Sequence, residues 1–259
     1  MANGRELAIP LHAIPGQPIY RRAREKTKTM KPYYQDTYCT IYNGDCRDVL
    51  PLLSPVDLVL TDPPYGIGDR MQGGTWGAKE KYADFRKWDV APLPETLAAA
   101  CALGRQVIVW GGNYFALGPS RCWLVWDKRN AVPTMADCEL AWTNLDKPAK
   151  RLSLGVGVHV HGHPTEKPLP LFAWCISQAV DVRTIVDPFM GSGTSLRAAK
   201  NRCIRSVGIE IDEWYCEIAA SRLSQESLNF GQDEDARAGQ GECPGTACNS
   251  ASMQVALDI

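Results

Sequence analysis

Val186-Asp187-Pro188-Phe189-Met190-Gly191-Ser192-Gly193-Thr194 is the stretch on which the fold turns. Its apolar start, Thr184–Val186, reads as a short strand, and Thr194–Asn201, with apolar residues at helical spacing, reads as the helix that follows. Between them two closely spaced glycines let a ligand approach the backbone at a helix N-terminus, where N–H groups point outward. The next apolar strand, Ser206–Ile209, ends in Glu210, which is placed to bind a pair of ribose hydroxyls. A nicotinamide dinucleotide site uses the same devices, but Leu196 stands where its third glycine belongs, and Pro188 and Phe189 precede the turn. A ligand without a pyrophosphate fits better.

Outward from that turn, strand-like runs fall at Tyr38–Tyr42, Val56–Thr61, Val107–Trp110, Cys122–Trp126 and Glu139–Thr143, each bounded by turn residues. Helical patterns fall at Pro94–Leu103, Leu169–Val180 and Glu213–Leu223. Strands alternating with helices predict an α/β fold, a mainly parallel seven-stranded sheet flanked by helices. A length of 259 residues with 45% hydrophobic content suffices for its core. The predicted organisation is a basic arm over 1–36, one catalytic domain over 37–224 with long loops at about 66–88 and 127–163, and an acidic tail over 225–259.

The second decisive motif is Asp62-Pro63-Pro64-Tyr65, which leaves the strand Val56–Thr61 and so sits outside a strand's carboxyl end, where open α/β sheets bind ligands. An aromatic amino group is a poor nucleophile because its lone pair is delocalised into the ring. Two acceptors on its hydrogens would localise that pair: the Asp62 carboxylate and the Pro63 carbonyl, with the prolines fixing the turn. Tyr65 offers a face on which an extruded base stacks, so base flipping is implied. The positive charge that develops on the nitrogen would be stabilised by the same carboxylate.

By these two motifs together, the chain resembles the amino-group DNA methyltransferases over about Tyr38 to Leu223, in the permuted order in which DPPY precedes the glycine turn. The resemblance implies a Rossmann-like fold, S-adenosylmethionine as methyl donor, double-stranded DNA as substrate, and Asp62, Pro63, Pro64 and Tyr65 as catalytic residues. It implies cofactor contacts from Asp187, Pro188, Phe189, Gly191, Gly193 and Thr194 of the turn and from Glu210. Asp45, in Gly44-Asp45-Cys46, matches the residue that bonds the cofactor's adenine, although a turn aspartate capping the next helix reads the same way. Thr165 and Lys167, in His163-Pro164-Thr165-Glu166-Lys167-Pro168, are implied to reach the methionine carboxylate. Trp110-Gly111-Gly112-Asn113-Tyr114 is similar to a segment that shapes the base pocket. Aspartate at position 62 points to N6 of adenine, since family members acting on N4 of cytosine more often carry serine there. A homodimer is also implied.

The overall charge of −1 divides unevenly: from Gln225 onward six acids face one base, a net of −5, so residues 1–224 carry +4. Arg21, Arg22, Arg24, Lys26, Lys28 and Lys31 make the amino-terminal arm basic. DNA contacts are expected from Arg70, Lys79, Lys81, Arg86 and Lys87 in the first long loop, which also holds Trp76, Tyr82, Phe85 and Trp88. Lys147, Lys150 and Arg151 form a second basic region. The ten cysteines, with no CxxC pair, read as reduced, and no metal is expected at them or at His159, His161 and His163. No long apolar run and no secretory pattern is present, so a soluble cytoplasmic protein is expected. The alternatives are N4 of cytosine, an RNA base or a protein glutamine as substrate, or a catalytically silent DNA-binding sensor of the donor. Asp62, Tyr65, Gly191 and Glu210, all intact, argue against the last.

Overall fold

Strands buried on both faces read as continuous apolar runs, and two of the strands here do so: Val56–Thr61 (VDLVLT) and Gly104–Trp110 (GRQVIVW). They form the centre of a sheet in a computed structural model that describes residues 30–67, 89–129, 136–155 and 167–225. In chain order the strands are β1 (Tyr34–Gln35), β2 (Cys39–Asn43), β3 (Val56–Thr61), β4 (Gly104–Trp110), β5 (Leu124–Asp127), β6 (Cys138–Thr143), β7 (Lys150–Ser153), β8 (Thr184–Asp187) and β9 (Arg205–Glu210). The helices are α1 (Cys46–Val49), α2 (Pro94–Ala102), α3 (Leu169–Gln178), α4 (Thr194–Lys200) and α5 (Glu213–Ser224).

Among the described residues the sheet has nine strands in the order β1-β2-β9-β8-β3-β4-β6-β5-β7. Its centre, from β2 to β4, is parallel throughout. Antiparallel pairing brings β1 onto β2 at one edge and β6 onto β4 and β5 at the other, and β7 runs parallel to β5. The expected seven strands therefore become nine in a mixed sheet. The two that escaped prediction are a two-residue edge and a four-residue charged edge, Lys-Arg-Leu-Ser, too short to show a period of their own. Because of β1, the basic arm expected over 1–36 ends inside the sheet. Because of β7, the span 127–163 is not wholly loop.

Alternation along the strands builds two layers of core. Leu58, Leu60, Ile108 and Trp110 face α3 and α4 through Leu171, Phe172, Cys175 and Ala198, whereas Val59, Val107 and Val109 face Leu97 of α2. A further cluster joins Ile41 and Met190 to Leu196, Cys216, Ala219 and Leu223, seating α4 and α5 beside β2. From β3 the chain crosses through α2 to β4 on one side, and from β8 it crosses through α4 to β9 on the other. The strand order reverses between β3 and β8, and a crevice opens outside their carboxyl ends.

Among the described residues the cysteines at 39, 46, 101, 122, 138, 175 and 216 are free thiols, as expected, all buried except the half-buried Cys101 and the exposed Cys138. Cys203 departs from the expectation and is disulfide-bonded. Among the described residues no helix is long and apolar enough to cross a membrane, and no cluster of potential metal ligands occurs.

Candidate active site

Both decisive turns leave adjacent strands at the switch point. Thr61, the last residue of β3, donates its hydroxyl to Asp187 at the end of β8, at 2.7 Å. Asp187 is buried and also accepts from the Ser195 hydroxyl and, at 3.1 Å, from the Phe189 N–H. Burial pushes its carboxyl up to about 6, against the pull of those three donors. Asp187 thus ties the DPPY strand, the glycine turn and the start of α4 into one unit.

The glycine turn is held from two further sides, by Glu210 and by Arg222. Gly191 and Gly193 take left-handed φ values of 50° and 78°, which a residue with a side chain adopts at a cost. Gly191 donates its N–H to Glu210 Oε2 at 3.0 Å, and the other Glu210 oxygen accepts from Asp212 N at 2.9 Å. Burial raises the Glu210 carboxyl above its ordinary range, opposed by those N–H donors. From α5, the Arg222 guanidinium reaches Ser192 O at 2.8 Å, Ser192 Oγ at 2.9 Å and Thr194 Oγ1 at 3.3 Å. Beside Glu210, Ile211 is exposed and provides apolar surface next to the acid.

The DPPY turn is set by Asp89, a buried carboxylate 24 residues from Tyr65 that accepts the N–H groups of Tyr65 (2.8 Å), Gly66 (3.0 Å) and Ile67 (2.7 Å). Three consecutive N–H groups on one carboxylate fix where Asp62 and Tyr65 point. Tyr65 donates its hydroxyl to Asp62 Oδ1 at 2.6 Å and stacks on the exposed Tyr114, with ring centroids 5.0 Å apart. Close approach of Gly111 makes room for this: with φ +66°, a Cβ there would lie 2.1 Å from the Tyr65 ring.

Lys167 is where the structure departs most from expectation. Its ammonium, expected to reach a cofactor carboxylate, is buried against Asp62 Oδ2, 3.0 Å from the Tyr65 hydroxyl and 3.2 Å from Glu139 Oε2 of β6. It lies over the rings of Tyr65 and Trp110, at 5.4 and 5.7 Å from their centroids. Beyond it, Lys128 pairs with Glu139 Oε1 at 2.7 Å. Burial pushes the Asp62 carboxyl up while the charge of Lys167 opposes the rise. Burial would lower Lys167, but Asp62 and Glu139 outweigh it and hold the ammonium above its ordinary value.

Asp45 caps α1, accepting from Arg47 N at 2.9 Å and pairing with the Arg47 guanidinium, so the helix-capping alternative describes its bonding here. Lys147 spends its ammonium on Gln178 at the end of α3, on the backbone oxygen at 2.5 Å and on Oε1 at 3.2 Å, rather than presenting it to solvent. Lys150 and Arg151 are exposed on β7. Thr165, Arg70, Lys79, Lys81, Arg86, Lys87 and the three histidines lie outside the described residues.

Sequence reasoning missed Asp89, Lys128, Glu139 and Arg222. Glu139 carried a visible signal, an acid inside the otherwise apolar Cys-Glu-Leu-Ala-Trp run. The other three are charged residues in polar stretches, and nothing local marks them.

A family model described as DNA methylase matches residues 119–221. The type II methyltransferase M.ScaI of Streptomyces caespitosus is 26% identical, over 81% of this chain and 89% of its own. M.HinfI of Haemophilus influenzae, also a type II methyltransferase, is 24% identical over 76% of this chain and 71% of its own. Among solved structures, the PvuII DNA methyltransferase, cytosine-N4-specific, gives a TM-score of 0.54 at 16% identity, covering 77% of this chain and 91% of its own. M1.HpyAVI gives 0.50 at 24% identity, covering 73% and 100%. These two likenesses concern the fold.

Proposed function

We propose that the chain, which a DNA methylase family model matches over residues 119–221, methylates N6 of adenine in double-stranded DNA, with S-adenosylmethionine as donor. The observation that carries this reading is the Thr61–Asp187 hydrogen bond of 2.7 Å, which joins the DPPY strand to the glycine turn in one crevice. The acceptor for an amino group and the cradle for a nucleoside thus leave neighbouring strands at the same end of the sheet.

The residues of the second turn fit the donor. A carboxylate at the end of β9, an exposed apolar residue beside it and a turn that carries no side chain at Gly191 and Gly193 suit a ribose, a purine and a compact methionine tail in place of a pyrophosphate. Bound there, S-adenosylmethionine supplies an electrophilic methyl group on a sulfonium. Asp187, Pro188, Phe189, Gly191, Gly193, Thr194 and Glu210 form this side of the crevice, with Thr165 and Asp45 assigned to it by family resemblance.

On the other side, Asp62 accepts one hydrogen of the base's amino group, and the carbonyl of Pro63 accepts the second, which localises the nitrogen lone pair. Pro64 keeps the turn rigid. Tyr65 orients Asp62 through its hydroxyl, and with Tyr114 beside it offers aromatic surface to an unstacked base. As the nitrogen becomes cationic, the Asp62 charge stabilises it. Aspartate at position 62 supports adenine over cytosine. The homodimer belongs to the same reading, and a sedimentation coefficient of a monomer would remove it.

The test supplies methyl-labelled S-adenosylmethionine and unmodified duplex DNA, and identifies the product nucleoside by mass. Labelled N6-methyladenine is expected from the wild type and none from Asp62→Ala. Labelled N4-methylcytosine would overturn the choice of base, and label retained by Asp62→Ala would overturn the role of Asp62.

A further inference from the structure

The described part of the site holds a charged group to which the reaction above gives no task. Glu139 enters from β6, a strand that belongs to neither decisive turn, and its side chain is only 23% exposed. It stands second in a chain of alternating charges, Lys128, Glu139, Lys167 and Asp62, which ends at the Tyr65 hydroxyl. Lys167, with a side chain 5% exposed and two aromatic rings against it, has little access to water.

In such surroundings a lone ammonium–carboxylate pair is held strongly, because low polarity magnifies attraction and little water reaches the charge. Lys167 alone would therefore lock onto Asp62 and compete with the amino group that Asp62 has to accept. A second carboxylate 3.2 Å from the same ammonium changes this, since the cation can shift its weight from one anion to the other without losing a partner. Lys128, at 2.7 Å on the outer oxygen of Glu139, keeps that second carboxylate ionised and fixed.

We propose that Glu139 is a positioning residue for methyl transfer: it receives the Lys167 ammonium as the base's amino group takes up Asp62, so the catalytic carboxylate is freed while remaining ionised. The inference rests on Asp62 being the amino acceptor. No covalent bond changes in the handover, which is a shift of one ammonium between two carboxylates on a common side.

Removing the Glu139 charge leaves the ammonium on Asp62 alone. Single-turnover methyl transfer with Glu139→Gln is expected to fall by roughly 10- to 100-fold, with the dissociation constant for S-adenosylmethionine unchanged within about twofold. A purely structural role would not move the acid limb of the pH–rate profile, whereas this one does. The ionisable groups facing Asp62 are Lys167 from the segment before α3, Tyr65 on its own turn, Glu139 on β6, Asp187 on β8 and the buried Cys175 thiol of α3, which burial keeps protonated, with Lys128 behind Glu139. Deleting the negative charge of Glu139 favours ionised Asp62, so the acid limb moves to lower pH. Lys128→Met deletes a positive charge further out and moves it to higher pH, which keeps the test open if Glu139→Gln does not fold. Glu139→Asp, which restores a carboxylate, should recover part of the rate.

A Glu139→Gln enzyme with wild-type rate and acid limb overturns the inference, as does a lowered melting temperature with both unchanged. Wild-type protein that methylates no base, or an active Asp62→Ala, overturns instead the functional reading on which the inference stands.

Discussion

Asp187 shows how a single buried acid couples stability to the site. Its carboxyl is raised to about 6, mainly by burial, whereas an unfolded aspartate titrates near roughly 3.9. The folded protein therefore binds more protons than the unfolded chain between those values, and the contribution of Asp187 to stability falls as pH rises through that window. Below it the carboxyl is neutral in both states, and above it the full cost of burying a charge is felt, about 2–3 kcal/mol. In unfolding titrations at pH 4 and pH 7, wild type should therefore gain stability relative to Asp187→Asn at the lower pH. A difference that stays flat would show that the carboxyl is not raised. The same residue carries the bond from Thr61, so the acid that costs stability also unites the two turns.

At the scale of elements, α5 does more than cover β2. Its Arg222 reaches across to the glycine turn, while Arg197 and Lys200 of α4 bond backbone oxygens at its end, Arg222 O at 2.9 Å and Leu223 O at 2.6 Å. The helix is thereby anchored at the point from which it holds Ser192 and Thr194. Arg222→Ala should weaken binding of S-adenosylmethionine by about tenfold, equivalent to one or two lost charge-assisted hydrogen bonds, with kcat at saturation nearly unchanged. Calorimetric titration with the donor alone reads this, and equal affinity in the variant would remove the role. Helices α2, α3, α4 and α5 were all legible from the spacing of their apolar residues, α2 also from Pro94 at its start. The grip of one helix on another's turn was not, because the hydrogen bonds join residues 30 apart whose local patterns are complete without them.

For the whole molecule, the sheet decides which charges share a site. Pairing of β6 with β4 and β5 carries Glu139 to Asp62, and pairing of β7 with β5 leaves Lys150 and Arg151 exposed along an edge. Those two remain candidates for phosphate binding. Replacing both with alanine should weaken DNA binding for all sequences alike and reduce the slope of log affinity against log salt by about 1 for each phosphate no longer neutralised. Binding isotherms at several salt concentrations measure it, and an unchanged slope would take β7 off the DNA.

Strand and helix periods, the chemistry of Asp62-Pro63-Pro64-Tyr65 and the glycine turn were readable in the chain itself, because each arises among residues within a few positions of one another. From them came the α/β class, both halves of the site and the family resemblance. Only the folded sheet decided that Thr61 would meet Asp187, 126 residues away, and that Lys167 would lie on Asp62, 105 residues away. Strand order sets those neighbours, and a strand's own sequence records which face it buries but not which strand lies beside it.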